Sequence, residues 1–120
     1  MRQVLVIEDD EEIRESLVET LHDNGHPAVG AANGKAGLEL LARADLPCLI
    51  LLDLMMPVMD GHEFRAAQLK NPQLASVPVV VLSAHRDLDN EARKLGASAW
   101  MQKPLKLDEL LEAVKRYCVD

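Results

Sequence analysis

The sequence contains few aromatic residues, few cysteines and no long apolar stretch. One Trp, one Tyr and one Phe occur among its 120 residues, so the core must be built from aliphatic side chains. No apolar run approaches the roughly 18 residues that a membrane span needs, and the N-terminal segment does not resemble a signal peptide. In the absence of a signal, Cys48 and Cys118 are interpreted as reduced, buried side chains. The sequence therefore predicts a globular protein of the cytoplasm.

Basic residues are also scarce relative to acidic ones. Thirteen Lys and Arg face twenty Asp and Glu, which gives a formal net charge of −7. A balance of this kind repels phosphate backbones, and no basic cluster offsets it, so direct binding to nucleic acid is not expected. The length fits one domain over residues 1–120, without a linker, a repeat or an output domain.

Short aliphatic runs alternate with segments of helical period along the whole chain. Strands are predicted at 4–7, 27–32, 48–52, 77–82 and 98–102. Helices are predicted through 13–21, at 35–44, 62–70 and from 87 or 88 to 95, and finally at 107–118. In the third of these helices, Phe64, Ala67 and Leu69 are expected to face inward. The run at 48–52 lacks alternation, as is typical of a strand covered on both faces, so the pattern predicts a doubly wound parallel α/β sheet.

Polar side chains follow four of the five predicted strands. In an open parallel sheet such groups gather at one edge, where the carboxyl ends of the strands meet. Clustered carboxylates repel one another, and oxygen ligands without His or Cys favour Mg²⁺ as the cation that would stabilise them. The residues concerned are Glu8, Asp9 and Asp10 after the first strand, Asp53 after the third, Ser83 after the fourth and Lys103 after the fifth.

Each of these residues also has a simpler interpretation. The three acids near the N-terminus could be a solvated cap of the first helix, and Ser83 could cap the helix that follows it. Lys103 could be an ordinary surface lysine, and Trp100 could be a core residue without a further role.

Four motifs, at 4–9, 51–61, 81–84 and 100–104, occur in order, each at the end of its own strand. They read VLVIED, LLDLMMPVMDG, VLSA and WMQKP. With these motifs the chain resembles, over residues 3–118, the receiver domain of two-component response regulators. The resemblance implies a flavodoxin-like fold, in which a five-stranded parallel sheet of order 2-1-3-4-5 is covered by five helices.

The resemblance also implies a phosphorylation chemistry centred on Asp53. This residue would accept a phosphoryl group from a histidine kinase or a phosphotransfer protein. Mg²⁺ would be held by Asp9, Asp53 and the backbone carbonyl of Met55, with Glu8 acting mainly through water. Asp10, one position beyond the acidic pair, would begin to cap the first helix.

Further residues match the positions that respond to the phosphoryl group. Ser83 corresponds to the switch hydroxyl, Trp100 to the switch aromatic and Lys103 to the cation that pairs with phosphate. The Lys103-Pro104 peptide resembles the family's cis bond, which a following proline makes accessible. Met55 and His85 occupy the two positions that tune the lifetime of the phosphate. Since Met55 cannot orient an attacking water, the phosphorylated form is not expected to be exceptionally short-lived.

The expected function is that of a signalling switch, not of an enzyme that acts on other substrates. Phosphorylation would change the face formed by the predicted fourth helix, fifth strand and fifth helix. A downstream protein or a fused effector domain would recognise the changed face. That face could also dimerise on activation. One alternative is a docking domain that works without phosphorylation. Another is a phosphatase of the haloacid-dehalogenase type, which would need a second Asp where Met55 stands.

Overall fold

The computed structural model describes residues 2–43, 46–54, 61–84 and 88–118. Within these ranges the chain forms five strands and six helices. The strands are β1 (Val4–Ile7), β2 (Ala28–Ala31), β3 (Leu49–Asp53), β4 (Val79–Ser83) and β5 (Ala99–Gln102). The helices are α1 (Glu11–Asp23), α2 (Gly34–Arg43), α3 (Gly61–Lys70), α4 (Pro72–Ala75), α5 (Leu88–Leu95) and α6 (Leu107–Tyr117). None of these helices is long and apolar enough to cross a membrane.

The strands form one parallel sheet in the order β2-β1-β3-β4-β5, as predicted. Side chains of β3 point alternately into two aliphatic cores, one on each face of the sheet. Ile50 and Leu52 pack in the core that contains Phe64. Leu49 and Leu51 pack in the other core, against α1 and α6. Burial on both faces explains why β3 is continuously apolar in sequence.

Helix α1 extends two residues beyond the predicted 13–21 at each end, and it begins directly after Asp10, as the resemblance implied. The Asp10 side chain caps it by accepting a hydrogen bond from the backbone N–H of Ile13 at 3.0 Å. At the other end Gly25 adopts a φ of 81°, a left-handed conformation that glycine reaches without a steric penalty. The cap fixes the start of α1 directly after the end of β1.

One of the helices formed by the described residues was not predicted from the sequence. This helix, α4, is a single turn that starts with Pro72 and is capped by Asn71, whose side chain accepts from Gln73 N–H at 3.0 Å. Four residues are too few to show a helical period, which is why the pattern missed it. The predicted fourth and fifth helices are therefore α5 and α6.

The inward face of α3 differs from the prediction. Phe64 is buried, but Leu69 is 50% exposed, and Arg65 and Gln68 are buried in its place. The Gln68 amide donates to the backbone carbonyl of Leu74 in α4 at 2.8 Å and to that of Val77, between α4 and β4, at 3.1 Å. These hydrogen bonds offset the cost of burying a polar group, which hydrophobic patterning assigns to the surface.

Arg65 connects α3 to the C-terminal end of α5. Its guanidinium donates to the carbonyl oxygens of Leu95 at 2.9 Å and Gly96 at 3.0 Å, and to the Gln68 side-chain oxygen at 2.7 Å. The two carbonyls end a helix and lack partners within it, so the guanidinium caps α5 from outside. The C-terminal end of α5 is thereby attached to α3.

The cysteines form a disulfide between Cys48 and Cys118, so the prediction that they are reduced was wrong. Cys48 directly precedes β3, and Cys118 directly follows α6. Because α6 packs on a face of the sheet, its last turn reaches the amino edge of β3 and brings the two Cα atoms to 5.1 Å. The residues are 70 positions apart, and only the tertiary fold makes them neighbours.

Candidate functional site

The register of β1 and β3 places two acids side by side. Ile7 is paired with Leu52, so Glu8 and Asp53, the next residue of each chain segment, lie together at the carboxyl edge of the sheet. Both side chains are buried, and Asp53 is only 4% exposed. Asp9 follows Glu8 and remains exposed.

The register of β4 and β5 adds a hydroxyl and an ammonium group to the same edge. Ser83 is paired with Gln102, and the backbone N–H of Lys103 donates to the Ser83 carbonyl at 2.9 Å. Ser83 is buried, and it lies near Asp53 because its chain neighbour Leu82 is paired with Asp53. The resulting cleft of about 530 Å³ is lined by Glu8, Asp9, Asp10, Ile13, Asp53, Ser83, Ala84 and Lys103.

Three carboxylates in this cleft are close enough to share one cation. Glu8, Asp9 and Asp53 each offer an oxygen within 4.8 Å of the others. A set of oxygen donors without nitrogen or sulfur suits a hard divalent ion, and a half-open cleft that keeps water suits Mg²⁺. The residues present therefore fit Mg²⁺.

Lys103 binds two of these carboxylates. Its Nζ lies 3.1 Å from Glu8 Oε2 and 3.4 Å from Asp53 Oδ2. Burial favours the neutral amine, but the hydrogen bond to Glu8 and the charges of Asp53 and Glu8 outweigh it and raise the pKa of Lys103. The ammonium form is therefore stabilised in the cleft.

The pKa of Glu8 is raised to about 7. Burial of its carboxyl is the largest cause, followed by a side-chain hydrogen bond with Asp53 and by the negative charge of that residue. Lys103 opposes these effects without cancelling them. Glu8 thus retains a proton at pH values where an exposed glutamate is fully ionised.

This shift predicts that, without divalent metal, the free energy of unfolding falls by about 3 kcal/mol as Glu8 ionises. The folded state binds the proton more tightly than the unfolded state. The contribution is therefore fully present below pH 4.5 and is lost as the pH rises through about 7. Urea unfolding at several pH values in EDTA measures the decline.

The Glu8→Gln variant is the control for this measurement, because its side chain cannot ionise. The difference between the wild-type and variant curves isolates Glu8 from the other titrating groups. Parallel curves for the two proteins between pH 4.5 and 7 would contradict the shifted pKa.

The structure brings most of the predicted site residues together and sets Trp100 apart. Trp100 lies on β5, is 42% exposed, and lines a groove against α6 rather than the acidic cleft, so it is not a core residue. The Lys103-Pro104 peptide is cis, as the resemblance implied. Met55 and His85 lie outside the described residues.

Two features of functional interest were not predicted from the sequence. Lys103 was expected to pair with phosphate, and the structure shows that it contacts Glu8 and Asp53 directly. Its position at the same sheet edge as the acids was the available signal. The disulfide had no comparable signal, because Cys48 and Cys118 lie in none of the four motifs and at the opposite edge of the sheet from Asp53.

Comparison with known proteins gives consistent matches over nearly the whole chain. The profile of the response regulator receiver domain matches residues 4–115. The transcriptional regulatory protein PdtaR of Mycobacterium tuberculosis is 35% identical over 115 residues, which cover 95% of this chain and 55% of PdtaR. Sporulation initiation phosphotransferase F of Bacillus subtilis is 34% identical, with 96% of this chain and 92% of the relative covered. The chain thus spans about half the length of PdtaR and nearly all of the phosphotransferase.

Solved structures agree with the sequence matches. The chemotaxis protein CheY4 of Vibrio cholerae superimposes with a TM-score of 0.88 at 31% identity, and 98% of each chain is covered. The response regulator TrrA of Thermotoga maritima, solved in complex with Mg²⁺ and BeF, gives a TM-score of 0.85 at 28% identity over 98% of this chain and 99% of TrrA. The matched profile, the relatives and the fold agree that this chain belongs to the response regulator receiver domain family of two-component signalling.

Proposed function

We propose that the domain is a phosphorylation-activated switch in which Asp53 accepts a phosphoryl group from a histidine kinase or a phosphotransfer protein. The observation that carries this proposal is the surroundings of Asp53. Its carboxylate is buried at the end of β3, 3.4 Å from the Lys103 ammonium and within 4.8 Å of the Glu8 and Asp9 carboxylates. A carboxylate in such a cleft can act as a nucleophile toward phosphorus.

The cluster of three carboxylates, Glu8, Asp9 and Asp53, would hold Mg²⁺ for this reaction. Asp9 and Asp53 are the proposed direct ligands, together with the backbone carbonyl of Met55, which lies outside the described residues. Glu8 would act mainly through water. The bound cation would offset the negative charge that develops on the phosphoryl oxygens. The complex of TrrA with Mg²⁺ and BeF supports Mg²⁺ as the cation.

The transfer itself needs few protein groups. An oxygen of the Asp53 carboxylate attacks the phosphorus atom of the donor, and a new O–P bond forms while the bond to the donor breaks. The donor leaves with the electron pair of that bond. Lys103, already beside Asp53, is positioned to pair with the oxygens of the transferred group. Met55 and His85, both outside the described residues, would set how fast water removes the group.

The response is a change of the α5–β5–α6 face. The Ser83 hydroxyl would donate a hydrogen bond to a phosphoryl oxygen, and Trp100 would change its rotamer. These changes would shift the population between two packings of this face. A downstream protein or a fused effector domain would recognise the new packing, and two activated copies could pair through it. The domain would thus promote only its own phosphorylation and dephosphorylation.

Residues 1–120 would act as a single receiver domain. Because the phosphoryl group of a histidine kinase comes from ATP, we place this domain in the cytoplasm.

Acetyl phosphate tests the proposal. With Mg²⁺ the protein should gain about 80 Da, one phosphoryl group, and with EDTA it should gain none. Beryllofluoride with Mg²⁺ should change the fluorescence of Trp100, which is the sole tryptophan. The Ser83→Ala variant should still gain the mass, because Asp53 and the proposed Mg²⁺ ligands are unchanged. It should lose the fluorescence change, because it lacks the hydroxyl that would respond to the phosphoryl group.

Each alternative has its own outcome in this experiment. No mass gain and no fluorescence change at saturating donor would favour a docking domain that works without phosphorylation. Sustained hydrolysis of a phosphate ester would favour a phosphatase. A mass gain that EDTA does not affect would contradict the proposed role of the cation.

A further inference from the structure

We propose that Cys48 and Cys118 form a reversible thiol–disulfide switch. Small-molecule disulfides such as glutathione disulfide would oxidise the pair, and the resulting bond between Cys48 and Cys118 would fix the last turn of α6. The reversibility rests on the proposed function, because a receiver domain supplied from ATP works where thiols are kept reduced. In such a compartment, disulfides are usually transient or redox-sensing rather than permanent.

One cysteine belongs to a fixed part of the fold and the other to a helix end. Cys48 is buried next to β3, and its backbone N–H donates to the Gln3 carbonyl at 3.0 Å. Cys118 is half-buried and directly follows α6, with its N–H bonded to the Val114 carbonyl at 2.8 Å. Their Cα separation of 5.1 Å lies within the range of about 4.4–6.8 Å that a disulfide bridges. The bond therefore needs no rearrangement of the backbone.

The last turn of α6 has few other attachments to the sheet. Leu110 and Val114 are buried earlier in the helix, whereas Lys115 and Arg116 are exposed. Tyr117 is half-buried, and its hydroxyl lies 3.4 Å from the Ser98 carbonyl oxygen, a long contact for a hydrogen bond. Reduction would thus leave the turn from 115 to 118 attached to the core mainly through the packing of two half-buried side chains, Tyr117 and Cys118.

This turn forms part of the α5–β5–α6 face. Arg116 and Tyr117 line a groove of about 330 Å³ together with Trp100, Glu109 and Glu112. Asp53 lies at the other end of β3 from Cys48, so the disulfide does not contact the acidic cleft. The redox state would therefore change the proposed output surface and leave the phosphorylation chemistry unchanged.

The oxidation proceeds in two exchange steps. The thiolate of Cys118, the more accessible of the two, attacks glutathione disulfide, forms a mixed disulfide and releases one glutathione thiolate. The Cys48 thiolate then attacks the Cys118 sulfur and releases the second glutathione. Two cysteine thiols are oxidised, one glutathione disulfide is reduced to two thiols, and the two protons pass to the released glutathione.

Equilibration in glutathione buffers of different ratio tests the switch. After quenching with N-ethylmaleimide, the mass should show two adducts in excess glutathione and none in excess glutathione disulfide. Amide hydrogen exchange at 115–118 should be at least about tenfold faster in the reduced protein, because that turn opens locally once its covalent link is removed. Exchange in β1 and β3 should change much less.

Two variants make the interpretation specific. The Cys48→Ser variant should show the faster exchange at 115–118 in both buffers, because it cannot form the disulfide. Reduced wild-type protein also lacks the disulfide, without a substitution, and should exchange at the same rate. Asp53→Asn should keep the full redox response. The switch is overturned if the adduct number is constant across the buffers, or if exchange at 115–118 is equal in the two states.

The experiment also separates this proposal from the proposed function. Acetyl phosphate should label Asp53 equally in the oxidised and reduced proteins. Absence of labelling in both states, with a normal redox response, would overturn only the phosphorylation proposal. Normal labelling with a constant adduct number would overturn only the switch.

Discussion

Replacing Asp53 by asparagine should abolish the gain of about 80 Da from acetyl phosphate, with a loss of at least about a hundredfold in labelling rate. The amide cannot supply the nucleophilic oxygen that the carboxylate provides. The substitution also replaces one of the three carboxylates around the proposed cation position by a neutral amide. Intact-mass spectrometry of wild type and variant under the same Mg²⁺ concentration measures the effect.

Asp23→Asn is the matched control for this substitution. It makes the same chemical change at an exposed residue at the C-terminal end of α1. The acidic cleft lies at the other, N-terminal end of this helix. Its labelling should equal that of wild type. Equal labelling of the Asp53→Asn variant would instead mean that another residue carries the phosphoryl group, and the proposed function would be wrong.

Asp53→Asn should also change the titration of Glu8. The hydrogen bond that protonated Glu8 donates to Asp53 and the negative charge of Asp53 both raise the pKa of Glu8, so loss of the charge should bring that pKa down from about 7. The decline of stability with pH should then be smaller than in wild type. This readout shows that the variant is folded and that its cleft is intact, independently of labelling.

Reduction of the disulfide should lower the free energy of unfolding by about 4 kcal/mol. Cys48 and Cys118 are separated by 70 residues, so their bond closes most of the chain into a loop. A loop of this length removes much of the conformational entropy of the unfolded state. Urea unfolding of the wild-type protein with and without dithiothreitol measures the difference.

The Cys48→Ser/Cys118→Ser double variant is the control for dithiothreitol itself. Its unfolding curve should be the same in both conditions and should lie close to that of the reduced wild type. A wild-type curve that does not respond to dithiothreitol would contradict the predicted stabilisation.

The sheet and the acidic cleft could be predicted because short, local signals determine them. A run such as 48–52, apolar on both faces, indicates a central parallel strand, and the residue that follows it must lie at the carboxyl edge. Asp53 and Glu8 were placed together by this argument alone, and the strand register confirms their position. Hydrophobic patterning was sufficient here because a strand that is buried on both faces accepts almost only apolar residues.

Other features could not be predicted because they depend on contacts between distant elements. Arg65 and Gln68 are buried only because carbonyl groups at helix ends and turns lie within reach of their side chains. The Cys48–Cys118 pairing depends on where α6 ends relative to β3, which no local pattern contains. The short helix α4 follows from one proline and one capping asparagine, which are weak signals in sequence.

The contact between Arg65 and the end of α5 would limit how the α5–β5–α6 face, the proposed output surface, can rearrange. Because the carbonyls of Leu95 and Gly96 accept hydrogen bonds from a buried guanidinium, that end of α5 would act as a pivot. A sliding movement along the sheet would break both hydrogen bonds, whereas a rotation about this point would keep them. We therefore expect α5 to swing, with its largest displacement at Leu88, the end that the chain reaches soon after Ser83.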